Sequence, residues 1–116
     1  MKFALLIYWD EKMTAGATPE QQHEEGDRYE VFTKSIVDSG NFLDGDPFHP
    51  TAGATSVEVR DGKTQTRPGP ADTVNLQLGA YYKVSADSVE QAQEMASRIP
   101  GAQYGTVEVR QVIEYD

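Results

Sequence analysis

The alternation of apolar and polar residues divides the chain into strands and two helices. Residues 2–9 are almost all apolar, and this pattern predicts a strand that is buried on both faces. Asp61-Gly62 is a strong signal for a two-residue hairpin turn, because both positions of that turn need a positive φ. The remaining predicted strands are 41–43, the hairpin arms 54–60 and 63–67, 74–84 with a bulge at Gly79, and 106–115.

The first helix has recognisable start and stop signals. Thr18 is a suitable N-cap, Pro19 suits the first helical position, and Gln21 completes a capping box. The helix is expected to end at Ser39, with Gly40 as the left-handed residue that stops it.

Apolar residues recur at helical spacing in both helices and predict which face of each packs on the core. A second helix is predicted after a cap at Asp87 or Ser88, and Pro100-Gly101 ends it. The predicted core positions are Tyr29, Phe32 and Ile36 in the first helix and Val89, Ala92, Ala96 and Ile99 in the second.

The order of these elements predicts an α+β fold in one domain, residues 1–116. Without the hairpin the order is β-α-β-β-α-β, which is the ferredoxin-like split βαβ arrangement with both helices on one face of an antiparallel sheet. Because the first strand is apolar on both faces, a second subunit is expected to cover the other face. The sequence therefore predicts a homodimer whose two sheets pack face to face.

Composition and charge narrow the classes of function. The chain has 38% apolar and 25% charged residues, and 10 basic against 19 acidic residues make its net charge −9. Such a surface repels phosphate backbones and anionic lipids, so neither nucleic acid nor a membrane is an expected partner. The absence of cysteine excludes disulfides and thiolate nucleophiles. The apolar run at 3–9 is too short to span a bilayer or to form a signal peptide, so a cytoplasmic location is expected.

Four segments, spread in order over nearly the whole chain, resemble the YCII-related family and, more narrowly, its DGPF-domain branch. They are 1–8, 54–63, 78–82 and 107–110. The resemblance implies a dimeric α+β barrel made of two ferredoxin-like subunits. It also implies a small lyase- or isomerase-type enzyme acting on cyclic organic acids, although some relatives of this branch are linked to sigma-factor regulation.

The chain departs from the family pattern at two places. The tail of the branch motif is kept as Ala71-Asp72-Thr73, but Arg67-Pro68-Gly69-Pro70 replaces Asp-Gly-Pro-Phe. The family is thought to use a His–Asp pair. By spacing, the histidine position falls near Tyr29 and the aspartate position near Asp38, so the histidine chemistry does not carry over to this chain.

The candidate chemistry lies in the central loops. His49 is the predicted acid or base, Asp38 the residue that orients it, and Tyr81 a hydrogen-bond donor. Arg60 and Arg67 flank the hairpin and are predicted to bind an acidic ligand by paired hydrogen bonds. The predicted ligand is therefore a small organic acid.

Simpler interpretations compete with these assignments. His23 lies among acidic residues and is expected to be an exposed surface histidine. Asp44 and Asp46 with His49 make an incomplete metal site and more often form turns, so no metal and no organic cofactor is predicted. The alternative function is a non-catalytic interaction module, such as an accessory protein for a transcription regulator.

Overall fold

The computed structural model describes residues 1–115 as an α+β fold with two antiparallel sheets and three α-helices. Short 3-10 turns occur at Thr51–Gly53 and Pro100–Gln103. The strands are β1 (Lys2–Trp9), β2 (Phe42–Pro47), β3 (Thr55–Arg60), β4 (Lys63–Pro68), β5 (Gln77–Ser85) and β6 (Thr106–Gln111), and the helices are α1 (Glu11–Thr14), α2 (Pro19–Asp38) and α3 (Val89–Ser97).

The main sheet has four strands in the order β2-β5-β1-β6, and every neighbouring pair is antiparallel. With the hairpin set aside, this is the strand order of the predicted split βαβ arrangement. The hairpin β3-β4 forms a separate two-stranded sheet. The α+β fold and the antiparallel sheet were thus correctly predicted.

Local signals in the sequence act as predicted at the ends of the helices and at the hairpin turn. Thr18 accepts from the Gln21 backbone N–H while the Gln21 side chain accepts from the Thr18 N–H, so the capping box is complete. Gly40 has a φ of 79° after α2. At the hairpin turn, Asp61 and Gly62 have φ values of 53° and 74°, as a two-residue turn of this hand requires.

The core lies between the sheet and its two longer helices. One cluster joins buried side chains from β1, β5, α2 and α3, so both helices pack on the same face of the sheet. Its fully buried large members are Phe3, Leu5, Ile7, Ile36, Val84 and Ile99.

The single chain buries only one face of β1, and burial of the second face by another subunit remains a prediction. Burial alternates along the strand, and Ala4, Leu6 and Tyr8 remain partly exposed on the face away from the helices. In the register of the sheet, Leu6 lies beside Tyr81 on β5 and Glu108 on β6. We call this side of the sheet the open face.

Several boundaries differ from the predicted ones. Helix α1 occupies part of the predicted break at 10–17, and β2 extends through Asp44 and Asp46, which were assigned to a loop. Strand β5 begins at Gln77, β6 ends at Gln111, and β4 extends to Pro68. The bulge is confirmed, because Ile7 pairs with Ala80 and Tyr8 with Leu78, which leaves Gly79 without a partner on β1.

Within residues 1–115, no helix combines the length and apolar character needed to cross a membrane.

Candidate functional site

A cavity of about 850 Å³ lies between α1, the first half of α2 and the end of β1. Aromatic side chains form much of its wall: Trp9 from β1, Tyr29 from α2, Phe48 and Tyr104. We call it the Tyr29 cleft. Cavities of this size, with apolar walls and a few polar groups, are typical sites for small molecules.

The bulge in β5 positions Trp9 in the wall of the cleft. A Cβ at Gly79 would lie 2.2 Å from Cη2 and Cζ2 of the indole, which is far closer than atoms can approach. Only glycine at this position leaves the indole room to lie across β5. Because Trp9 is the chain's only tryptophan, its fluorescence reports on the cleft.

Gly26 borders the cleft on the helix side. Glycine within a helix is less favourable than alanine by about 1 kcal/mol, so its presence in α2 calls for a reason. A Cβ at this position would meet no atom within 4 Å, and the residue lines both the Tyr29 cleft and a second cavity of about 370 Å³. Trp9 and Tyr29 line both cavities as well, so the two spaces adjoin.

Helix α1 covers the cleft and is tied to the rest of the molecule through Glu11. The Glu11 backbone N–H donates to Gln77 Oε1 at 2.8 Å. Its carboxylate accepts from the Thr51 N–H at 2.9 Å and from the Thr51 hydroxyl at 2.5 Å. Both carboxylate oxygens of Glu11 are therefore engaged within the protein.

Two polar atoms at the cleft lack hydrogen-bond partners. Glu25 Oε1 and the Tyr29 hydroxyl are both shielded from solvent, and among residues 1–115 neither has a hydrogen bond of acceptable distance and angle. Gly101 makes room for the phenol, since a Cβ there would lie 2.7 Å from the Tyr29 hydroxyl. A buried polar group without a partner costs about 1–3 kcal/mol, so such groups are uncommon in folded proteins unless they serve another purpose.

The phenols of the cleft are held in their neutral form. Burial, and then the nearby Tyr104 and Glu25, raise the pKa of Tyr29 far above its ordinary value. Burial, followed by the charge of Glu25, also raises the pKa of Tyr104. Around neutral pH both side chains can therefore donate a hydrogen without carrying charge.

The stability of the protein is expected to fall in alkaline solution because of Tyr29. Its pKa is raised on folding, so above about pH 10 the unfolded chain loses a proton that the folded chain keeps. The unfolding free energy then decreases as pH rises, whereas below about pH 10 this group has no effect. In denaturant titrations between about pH 8 and 11, the unfolding free energy of Tyr29→Phe should decrease less with pH than that of the natural chain. Tyr115→Phe is the control, since that ring is 87% exposed, and an equal change in both variants would contradict the prediction.

The predicted site residues do not share one cavity. Asp38 is exposed at the end of α2, where its carboxylate binds Lys34 Nζ at 2.6 Å. Arg60 is exposed near the hairpin turn, 3.7 Å from Glu58, while Arg67 donates to the carbonyls of Pro70 and Ala71. Those two hydrogen bonds fasten the loop that follows Arg67.

His49 and Tyr81 lie beside two different cavities. His49 is exposed in the loop after β2 and lines a space of about 590 Å³ beside the base of the hairpin. Tyr81 is on the open face of β5 and also lines the smaller cavity next to the Tyr29 cleft. The catalytic and ligand-binding roles assigned to these residues remain predictions. His23 is an exposed histidine, as expected, 3.6 Å from Asp27.

Tyr81 is bracketed by two carboxylates. Its hydroxyl lies 3.1 Å from Asp44 Oδ2 and 3.2 Å from Asp46 Oδ2, and its ring stacks on Phe48. The hydrogen bond to Asp44 is the main cause of a raised pKa for this phenol. One hydroxyl has a single hydrogen, so Tyr81 can donate to only one of the two carboxylates at a time. Within residues 1–115, no three His, Cys, Asp or Glu side chains gather closely enough to hold a metal ion.

Sequence reasoning missed most of the Tyr29 cleft. Tyr29 was noted as the position of the family histidine, and it does line the cleft. Nothing in the sequence pattern assigns a role to Glu25, to Tyr104 or to α1, all of which line the cleft. The single tryptophan at the end of a strand and the glycine within a helix were the available signals.

Fold and cleft together define a small α+β protein that carries an aromatic-walled cavity beside a ferredoxin-like sheet. The model of the YCII-related domain matches residues 1–116. The chain therefore belongs to the YCII-related family. A comparison with curated proteins finds no match.

Proposed function

We propose that this protein binds a small organic molecule in the Tyr29 cleft. The observation that carries the proposal is the pair of shielded, unpartnered polar atoms, Glu25 Oε1 and the Tyr29 hydroxyl, in an aromatic cavity. Their cost in stability is offset when a ligand supplies the missing hydrogen bonds. The aromatic walls favour a ligand with a planar ring.

The chemistry proposed for the cleft is acid–base chemistry without a cofactor. Glu25 is the group suited to accept a proton or a hydrogen bond, and neutral Tyr29 and Tyr104 are suited to donate one to an oxygen of the ligand. This assignment moves the reacting groups from His49 and Asp38 to the cleft. Lyase- or isomerase-type proton transfer on a cyclic substrate fits these groups, as the family resemblance implies.

We also propose that the protein is a homodimer, packed as an α+β barrel through the open face. Ala4, Leu6 and Tyr8 form the apolar middle of that face, and the Glu108–Arg110 ion pair lies at its side. An apolar centre with a polar rim is the usual anatomy of a protein interface. Membership of the DGPF branch remains a proposal that rests on the motif tail at 71–73.

Binding should depend on Glu25 and Tyr29. A thermal-shift screen of lactones, cyclic acids and aromatic amines should give a hit, since a ligand at 100 times its Kd adds about 2.7 kcal/mol of stability. Glu25→Gln and Tyr29→Phe should each lower the affinity for that ligand about tenfold, as measured by calorimetry, because each removes one hydrogen-bonding group. Tyr29→Phe should leave the ligand-free protein at least as stable, since it removes a hydroxyl without a partner.

Matched variants separate this proposal from the assignment of His49 and Arg60. Glu30→Gln changes an exposed carboxylate on the same helix, outside the cleft, and should leave binding unchanged. If His49→Ala or Arg60→Ala abolishes binding while Glu25→Gln does not, the Tyr29 cleft is not the ligand site.

The second candidate function is a non-catalytic interaction module. The observation in its favour is the hairpin β3-β4, on which Val57 and Val59 share one face and are 61% and 58% exposed. Two exposed valines side by side on a projecting strand suit a protein partner. Two results would favour this function. The thermal-shift screen would give no hit, and a protein partner would bind stoichiometrically to the natural chain but not to Val57→Thr/Val59→Thr.

A further inference from the structure

We propose that the Tyr29 cleft selects ligands in which a short chain joins a cationic nitrogen to a planar ring. Ligands that carry a carboxylate in place of the nitrogen are expected to bind less tightly. The inference rests on the proposed function and specifies the chemical class of the ligand. It differs from the acidic ligand that the sequence suggested.

The unpartnered carboxylate oxygen sets the first requirement. Glu25 Oε1 is an acceptor that receives no hydrogen bond of acceptable distance and angle within residues 1–115, although the Tyr104 phenol lies close enough for Glu25 to raise its pKa. A ligand that satisfies it must bring an N–H or O–H. A carboxylate ligand brings neither, and it would place a second negative charge in a shielded space where like charges repel strongly.

The charges around the cleft add to this selection. Three carboxylates line it, from Glu11, Glu24 and Glu25, against the single guanidinium of Arg28. Arg28 is exposed and so is screened by water, whereas Glu25 Oε1 is shielded. Glu11 is already hydrogen-bonded to Thr51, which leaves Glu25 Oε1 as the shielded carboxylate oxygen at the cleft without a hydrogen bond. The net charge of −9 also raises the local concentration of cations and lowers that of anions.

The walls supply a partner for both parts of such a ligand. The faces of Trp9 and of the tyrosines attract a cation as well as a stacked ring, and tryptophan is the strongest of the aromatic side chains in this respect. The Tyr29 hydroxyl has free lone pairs, so it can accept a second N–H from an ammonium group that already donates to Glu25.

The test uses three probes that share a phenylethyl group and differ in charge: 2-phenylethylamine, 2-phenylethanol and 3-phenylpropionate. Binding is followed by the fluorescence of Trp9, the only tryptophan of the chain, and by calorimetry. The amine should bind about tenfold or more tightly than the acid, because a charge-assisted hydrogen bond contributes about 1.5–3 kcal/mol. Glu25→Gln should remove most of this preference, and Arg28→Gln should increase it. Glu30→Gln is the control and should change neither the affinity for the amine nor that for the acid.

The outcomes distinguish the two levels of the proposal. If the acid binds as tightly as the amine, and Tyr29→Phe weakens it, the cleft is a ligand site but the selection for a cation is wrong. An amine preference that survives in Glu25→Gln would also overturn the selection. If none of the three probes affects Trp9 or gives heat at millimolar concentration, both the ligand site and its selectivity are rejected.

Discussion

Replacing Leu6 by lysine is expected to convert the proposed homodimer into a folded monomer. Leu6 lies in the middle of the open face and is only half-buried in the single chain, between Tyr81 and Glu108 of the neighbouring strands. A lysine there can pair with Glu108 across the strands, so the monomer tolerates it. In a face-to-face dimer the charged group of the same lysine would be removed from water, which is unfavourable. Because the interface is symmetric, this would happen in both subunits.

The expected effect on association is large. Each buried leucine contributes about 1.5–3 kcal/mol, and the substitution acts twice in a symmetric interface, so the dimer should weaken at least 100-fold. Size-exclusion chromatography with light scattering at micromolar concentration should give about 12.8 kDa for the variant and about twice that mass for the natural chain. Circular dichroism checks that the variant is folded.

Val31→Lys is the matched control for the dimer experiment. Val31 is 72% exposed on α2, on the other side of the sheet, so lysine at this position should leave the dimer intact. Loss of the dimer in both variants would point to a general effect of charge. A natural chain that elutes as a monomer would refute the homodimer.

Replacing Gly79 by alanine is expected to displace Trp9 and to damage the cleft. The added Cβ would lie 2.2 Å from the indole, so either the ring or the bulge in β5 must move. Overpacking of this kind costs about 1–3 kcal/mol. Because the displaced ring is part of the cleft wall, ligand binding should weaken as well, and the emission of Trp9 should shift towards that of a solvent-exposed indole.

Gly53→Ala is the control for Gly79→Ala. A Cβ at Gly53 meets no atom within 4 Å, so this variant should keep its stability and its fluorescence. Denaturant unfolding followed by Trp9 fluorescence measures both quantities in one titration. If Gly79→Ala is as stable as the natural chain and binds the same probes, then the bulge does not position the indole.

The fold could be predicted from the sequence wherever short-range signals decide the structure. The capping box at Thr18, the left-handed Gly40 and the Asp61-Gly62 turn depend on neighbouring residues, and all three form as predicted. The strand order β2-β5-β1-β6 is that of the split βαβ arrangement, in which α2 and α3 each connect two strands that are not neighbours in the sheet.

The candidate site could not be predicted in the same way. The residues of the Tyr29 cleft come from five separate parts of the chain: the end of β1 with α1, the first half of α2, the loop after β2, the bulge in β5, and the segment after Pro100–Gln103. No short-range pattern links Trp9 to Gly79 or Glu25 to Tyr104. The histidine and arginines that stood out by residue type lie exposed in a loop and at the hairpin, and the arginines interact with groups close to them in the chain.

The sequence by itself determined the two longer helices, the hairpin turn and the antiparallel α+β order, because each depends on periodicity and on backbone preferences of consecutive residues. Only the tertiary structure decided that β1 has one buried and one open face in the single chain, since both sides of that strand carry apolar residues in sequence. It also decided which polar atoms are left without partners. Whether Glu25 and Tyr29 meet donors or acceptors depends on side chains brought together from distant segments, and that packing is set by the whole fold.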